Sequence, residues 1–321
     1  LRSIVENLTK ISENITNNVW GGIIFSIVLL LIVIILIIVL IYRQNKFIQK
    51  IINLCENLFF PLIKKERIIF EVFTKKNAVV KSVEDMYTLI GFKKIKINCT
   101  DKFENKEWVT EKNLQKLLDK QRKNMSKIKK GSKKNNSLVY LGFPHVPIAF
   151  VDGINFSDVN NVILYEYDGA VGNSPDKDFF ELKKIYNSSI ELESNYKEIT
   201  LNSDEVIIKI EQSFDINDRE LINLVGDKDI IYLSNKDRKR WGISSYSDVD
   251  KFIKEFEKIL KWAKENNIKK IHLFMTTPVS LTFSLGQVVS HYTPDIIIYN
   301  YNNNNFDWCV DVKNRKVKII N

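Results

Sequence analysis

The sequence predicts an α/β protein, with a single N-terminal transmembrane helix followed by two fused Rossmann-like lobes. Three observations predict it. Trp20–Tyr42 is uncharged and almost wholly Ile, Leu and Val, long enough to span about 30 Å of hydrocarbon. Beyond it, short apolar runs alternate with amphipathic helical patterns, as in a parallel sheet covered by helices. A strand–helix–strand unit then occurs twice, its prolines about 130 residues apart, the spacing of a duplicated lobe rather than a solenoid repeat.

Residues 1–19 carry Leu1, Ile4, Val5, Leu8, Ile11 and Ile15 at helical spacing, with Arg2 and Lys10 balanced by Glu6 and Glu13. They read as a short amphipathic segment or as the remnant of a longer start. The span covers 20–42, with Trp20 and Tyr42 as interfacial anchors. It is too long for a signal peptide, and no small-residue cleavage site follows. Arg43, Lys46 and Lys50 lie just beyond it, so the C-terminal side is expected in the cytoplasm. Residues 43–65 form a juxtamembrane helix or linker ending near Pro61.

The first lobe is assigned to residues 66–200. Strands are expected at Ile68–Phe73 and Ile95–Cys99, and a helix over Trp108–Ile128 with Leu114, Leu117, Leu118 and Met125 on one face. Ten basic residues and one acid, Asp119, fall between Lys112 and Lys134, so this window holds the whole net charge of +9. A solvated helix face explains such a run, as does attraction to anionic lipid; duplex nucleic acid is not an expected partner.

The second lobe is assigned to residues 201–321. Glu205–Glu211 and Asp229–Leu233 read as strands, Val249–Glu265 as a helix, and Ile271–Met275 as a buried strand. Thr277-Pro278 then suggests an N-cap hydroxyl with proline at the first helical position. Leu281, Leu285, Val288 and Val289 mark the helix face, Pro294 stops it, and Asp295–Tyr301 returns as a strand. A strand feeding directly into a helix N-terminus makes an anion pocket, because unpaired N–H groups converge there.

The earlier copy of this unit is Leu138–Asp168. Each copy holds a proline opening the helix (Pro147, Pro278), a glycine (Gly153, Gly286) and a terminal Tyr-x-Tyr (Tyr165/Tyr167, Tyr299/Tyr301). Any two strand–helix–strand units share some of these features; duplication of a whole lobe accounts for all of them.

The stretch IHLFMTTPVSLTFSLGQ followed by PDIIIYNY resembles the C-terminal half of a SAVED domain, a fusion of two CARF-like lobes. The resemblance covers roughly residues 66–321 and is clearest over 203–308. With Trp20–Tyr42 it points to the transmembrane effectors of that family in bacterial antiphage (CBASS) signalling. It implies a sensor whose partners are a cyclic di- or trinucleotide and the lipid bilayer of the inner membrane. It further implies homo-oligomerisation on ligand binding, with clustered spans disrupting that membrane.

Ligands of open parallel sheets bind beyond the carboxyl ends of the strands. Those ends offer Ser213, Ser234, Lys236, Thr276, Thr277 and Pro278, joined by Gln287, Tyr299 and Tyr301, and by His145 and Tyr167 of the first lobe. Hydroxyls and N–H groups suit phosphates, and aromatic faces suit bases. The same residue types also cap helices and fill interfaces. No catalytic constellation, metal site or cofactor motif is expected: the three histidines lack zinc spacing, and no Walker A or G-x-S-x-G occurs. One alternative is a membrane-tethered, Mg-dependent PD-(D/E)xK nuclease, from Pro294-Asp295 with Asp311-Val312-Lys313. Three widely spaced cysteines give no disulfide framework.

Overall fold

The computed structural model describes residues 68–74, 93–131, 138–159, 162–167, 179–183, 188, 190–240, 242–302 and 305–320, with a few isolated N-terminal positions. The chain divides into two compact units, Leu1–Leu62 with Glu84–Ile90, and Ile63–Val83 with Gly91–Asn321. In the first, the described residues Glu6, Asn7, Thr9, Lys10, Leu30, Leu31 and Val33 are helical. Among the described residues no helix is long and apolar enough to cross a membrane. Apart from Leu30, Leu31 and Val33, the expected span Trp20–Tyr42 lies outside the described residues, as does the segment at 43–65.

The second unit holds two sheets. The first contains β1 (Ile68–Phe73), β2 (Lys93–Asn98), β3 (Leu138–Phe143), β4 (Val162–Tyr167) and β5 (Phe179–Glu181), in the order β2-β1-β3-β4-β5. All pairings are parallel except β4–β5. The second contains β6 (Leu192–Ser194), β7 (Glu205–Glu211), β8 (Asp229–Asn235), β9 (Lys270–Thr276), β10 (Asp295–Asn302), β11 (Asn305–Asp311) and β12 (Lys316–Ile319). Its order is β12-β11-β10-β9-β7-β8-β6, with a parallel centre and antiparallel edges. The run β8-β7-β9-β10-β11 repeats the order and strand directions of the first sheet, so the repeated unit is embedded in a repeated topology.

The helices are α1 (Thr100–Glu104), α2 (Glu111–Gly131), α3 (Val146–Asn155), α4 (Asp218–Val225), α5 (Tyr246–Glu265) and α6 (Val279–Gln287). Helix α5 starts three residues before the expected Val249. A capping box draws it back: the Asp248 N–H donates to Ser245 Oγ (3.2 Å), and the Ser245 N–H donates to Asp248 Oδ2 (3.0 Å). The sequence reading of Thr277-Pro278 is corrected by one position. Pro278 is the N-cap and Val279 opens α6, while the Thr277 hydroxyl pairs with Thr282 Oγ1 at 2.7 Å. Proline has no side-chain oxygen to cap with, so the first N–H groups of α6 need another acceptor.

Helices α3 and α6 cross in backbone contact. A Cβ on Gly153 would lie 1.9 Å from the carbonyl oxygen of Phe283, and one on Gly286 would lie 2.1 Å from that of Phe150. Phe150 and Phe283 each precede their glycine by three residues, so the contact is symmetric and the glycines, rather than the prolines, set the register of the repeat. Around it runs one apolar cluster shared by both sheets, including Phe70, Tyr140 and Phe156 with Phe252, Phe283 and Trp308. Tyr140 stacks on Phe283 with ring centroids 4.0 Å apart. Helix α2 reaches from the first sheet to the edge of the second, where the Val317 N–H donates to Gln115 Oε1 (3.2 Å) and the Ile319 N–H to Glu111 Oε1 (3.1 Å).

One carboxyl is sealed beneath this seam. Asp152 is fully buried and accepts from Tyr140 Oη (3.0 Å) and Gln121 Nε2 (3.4 Å), leaving its Oδ1 without a partner. Burial pushes its pKa well above the usual carboxylate range, against the opposing bond from Tyr140.

Two outcomes follow from the packing. Gly153→Ala or Gly286→Ala, with no room to relax against backbone, should destabilise by at least the ~1–3 kcal/mol of core overpacking, read as a lower urea midpoint. For Asp152, a raised folded pKa means that stability is complete below the unfolded value and declines as pH rises toward the folded one. Asp152→Asn should therefore flatten the fall in melting temperature between acidic and mildly alkaline pH; an unchanged slope would contradict the sealed, neutral acid.

Candidate functional site

The carboxyl ends of β3, β4, β7, β9 and β10 face one another across a cleft of about 220 Å³. Its walls come from both sheets. Phe143 and Pro144 end β3, and Glu166 belongs to β4; Ser213 and Phe214 follow β7, Thr276, Thr277 and Pro278 follow β9, and Tyr301 belongs to β10. Arg240 enters from the loop after β8 and is the cation among the described lining residues.

That loop, Lys236–Arg240, carries four basic residues. Lys236 is paired with Glu191 (2.6 Å), Arg238 with Asp215 (2.5 Å) and Glu193 (3.5 Å), and Lys239 with Asp237 (2.5 Å). These acids neutralise the flank of the loop, and Arg240 is the residue of the four that lines the cleft. Phe214 is unusual for a large apolar side chain in being 47% exposed. It tilts toward Tyr301 with centroids 5.9 Å apart, and its carbonyl is held by Thr276 Oγ1 at 2.6 Å. Together Phe214 and Tyr301 form an aromatic ledge beside a guanidinium.

The anion pocket expected at the N-terminus of α6 is already filled. Glu166 Oε2 accepts from the Ser280 N–H (3.1 Å) and from the Ser280 hydroxyl, while Oε1 accepts from the Tyr167 N–H (3.1 Å). A carboxylate from the first sheet thus supplies the acceptor that Pro278 cannot. Burial raises the pKa of Glu166, and the bonds from Ser280 and Tyr167 oppose that rise.

Of the residues singled out in the sequence, Ser213, Thr276, Thr277, Pro278 and Tyr301 meet in this cleft. The others lie elsewhere. Ser234 is buried and donates to Glu211 Oε2 (2.7 Å), and Lys236 is tied to Glu191. Tyr299 is buried in an apolar cluster, where it stacks on Phe274 (4.3 Å) and bonds His272 Nδ1 (2.8 Å). His145 is buried against Phe103 (4.4 Å), with Nδ1 2.6 Å from Thr74 Oγ1. Tyr167 packs on Phe143, centroids 4.5 Å apart. Gln287 sits at the far end of α6, donates to the Phe156 carbonyl (3.2 Å), and lines a separate cavity of about 670 Å³. Arg240, Glu166 and Phe214 are among the lining residues that sequence reasoning missed; the basic run before Trp241, the acid between two tyrosines and the aromatic after Ser213 were the available signals.

The nuclease pattern is placed as follows. Lys313 Nζ lies 2.6 Å from Asp295 Oδ1, and Asp311 accepts from the backbone and side-chain nitrogens of Asn314, both at 2.9 Å. Both carboxylates are engaged within the protein. Among the described residues no group of three or more His, Cys, Asp or Glu side chains could hold a metal ion.

Two sheets that share one strand order thus meet at their carboxyl ends across an aromatic and cationic cleft. The SAVED family, described as the SMODS-associated and fused to various effectors sensor domain, matches residues 120–312, and the chain belongs to that family. No curated protein matches the sequence. Among solved structures, the chain is similar to the Cap4 SAVED/CARF-domain containing receptor of Acinetobacter baumannii with the cyclic trinucleotide 2'3'3'-cAAA, at 15% identity and a TM-score of 0.51. That match covers 82% of this chain and 54% of the receptor. The Cap4 receptor of Moraxella osloensis matches at 13% identity and a TM-score of 0.46, over 80% of this chain and 52% of the receptor. The chain spans about half the length of these receptors.

Proposed function

We propose that the protein senses a cyclic di- or trinucleotide messenger in bacterial antiphage defence, binding it at the cleft where the two sheets meet. The observation that carries this is the pairing of the Phe214–Tyr301 ledge with Arg240 in one cleft between the strand ends. A base stacks on the ledge, a phosphodiester meets the guanidinium, and the ends of both sheets touch the ligand at once. A cleft of about 220 Å³ is smaller than the ~300–1,000 Å³ of drug-sized pockets. It takes one nucleotide unit, and the rest of a cyclic ligand lies over Phe214. The similarity to a receptor with a cyclic trinucleotide supports the ligand class.

The membrane part of the proposal stands on the sequence. Trp20–Tyr42 anchors the sensor in the inner membrane, with the sheets on the cytoplasmic side. Ligand binding favours assembly of sensors, and clustering of their spans disrupts the bilayer. This is linkage: the assembled form must bind the ligand more tightly than the free form.

Calorimetric titration of the full chain in lipid nanodiscs with a panel of cyclic di- and trinucleotides tests the sensor. One member should bind at micromolar affinity or better, and no binding across the panel would sink the proposal. Arg240→Ala should cost ~1.5–3 kcal/mol for a lost charge-assisted bond, and Phe214→Ala ~1–3 kcal/mol for lost stacking. Tyr299→Phe, buried against Phe274 and outside the cleft wall, should leave affinity unchanged. Dye release from liposomes carrying the full chain should begin only when the bound nucleotide is added; release without it, or none with it, would remove the membrane mechanism and leave the sensor.

A further inference from the structure

Glu166 is an acid in the wall of a cleft that takes an anion. It is 3% exposed, and both of its oxygens are bonded within the protein. Its partner Ser280 is itself fully buried in the first turn of α6. The bond therefore runs from β4 of the first sheet to a helix that follows β9 of the second.

The repeat shows that this charge is one-sided. Tyr165-Glu166-Tyr167 corresponds to Tyr299-Asn300-Tyr301, and with Gly153 and Gly286 in register Ser280 corresponds to Pro147. The second copy thus carries a neutral amide where the first has a carboxyl, and the first carries a residue without N–H, Pro147, where the second has the donor Ser280. Asn300 is buried, and its Oδ1 has no hydrogen-bond partner. A merely structural cap would be served by an amide oxygen as well as by a carboxylate. What Glu166 adds over an amide is a group that can take up or lose a proton in the wall of the cleft.

We propose that Glu166 is a positioning residue that sets where and in what charge state the cleft accepts its ligand. It occupies the N-terminus of α6 from within, so the ligand's phosphate is directed to Arg240 instead. This rests on the cleft being the nucleotide site. A phosphate in the same small cleft brings a second negative charge next to Glu166, and like charges favour protonation of the carboxyl. Its own bonds are from Ser280 and the Tyr167 N–H, and the cleft wall it belongs to also holds Thr282 of α6, Phe143 of β3, Tyr301 of β10 and Arg240 as the lining cation. Binding is then accompanied by proton uptake at Glu166. Affinity is full while the carboxyl is neutral and falls as pH rises through its ionisation, which burial has already moved upward.

The test is the pH profile of the dissociation constant of the full chain for cyclic triadenylate, from about pH 5 to about pH 8.5, in wild type, Glu166→Gln and Arg240→Ala. Glu166→Gln keeps an acceptor for Ser280, and thermal unfolding checks that it folds. Wild-type affinity should fall roughly tenfold across the range, the effect of about one pKa unit of coupling. Glu166→Gln should bind more tightly at the alkaline end and show a flat profile. Arg240→Ala should weaken binding at every pH with the wild-type slope retained. A wild type that binds with a slope equal to that of Glu166→Gln overturns the role of Glu166 and leaves the sensor reading intact. A wild type that binds no member of the cyclic di- and trinucleotide panel at any pH removes both. A folded Glu166→Gln that loses binding altogether also overturns the proposal, since charge would then be required rather than obstructive.

Discussion

The backbone contact between α3 and α6 at Gly153 and Gly286 is the constraint on which the rest depends. Each helix follows a strand of its own sheet and precedes the next, so bringing the helices together brings the strand ends together. With a Cβ at 1.9 Å or 2.1 Å from a carbonyl oxygen, any side chain larger than hydrogen would drive the helices apart. The apolar seam of Tyr140, Phe150, Phe156 and Phe283 would then lose its close packing, whose dispersion contacts weaken steeply with separation. The strand ends meet in one cleft because the two glycines let the helices sit this close.

Polar chemistry at the seam follows the same geometry. Pro278 leaves α6 without a side-chain cap, and Glu166 of the other sheet supplies one. Asp152, Tyr140 and Gln121 form a second buried polar group on the α2–α3 side. Burial raises the pKa of both carboxyls, opposed in each case by the hydrogen bonds they accept. The sheets are held by packing, while charge is concentrated at the loop of Lys236, Arg238 and Lys239, where each cation has an acidic partner.

The repeat is legible because it is written in backbone requirements. A glycine at close approach and an apolar strand leave composition signatures that survive divergence of everything around them. The prolines mislead by comparison: Pro147 lies inside the first turn of α3 and Pro278 caps α6. The antiparallel edge strands β11 and β12 were not separable by pattern, since Asn305–Asp311 mixes apolar, acidic and amide residues and owes its pairing to β10.

By itself the sequence determined the α/β class, the central strands, the two long amphipathic helices and the family resemblance, because apolar periodicity follows local geometry. It also placed Ser213, Thr276, Thr277 and Tyr301 at strand ends, which is a statement about position along the chain. Which of those ends face one another was decided only by tertiary structure. Tyr299 and Tyr301 are two residues apart on β10, yet one stacks on Phe274 and the other lines the cleft. Glu166 meets Ser280 across more than a hundred residues of chain, a pairing fixed by the crossing of two helices. Local pattern encodes which face of an element is apolar; only packing decides what lies opposite it.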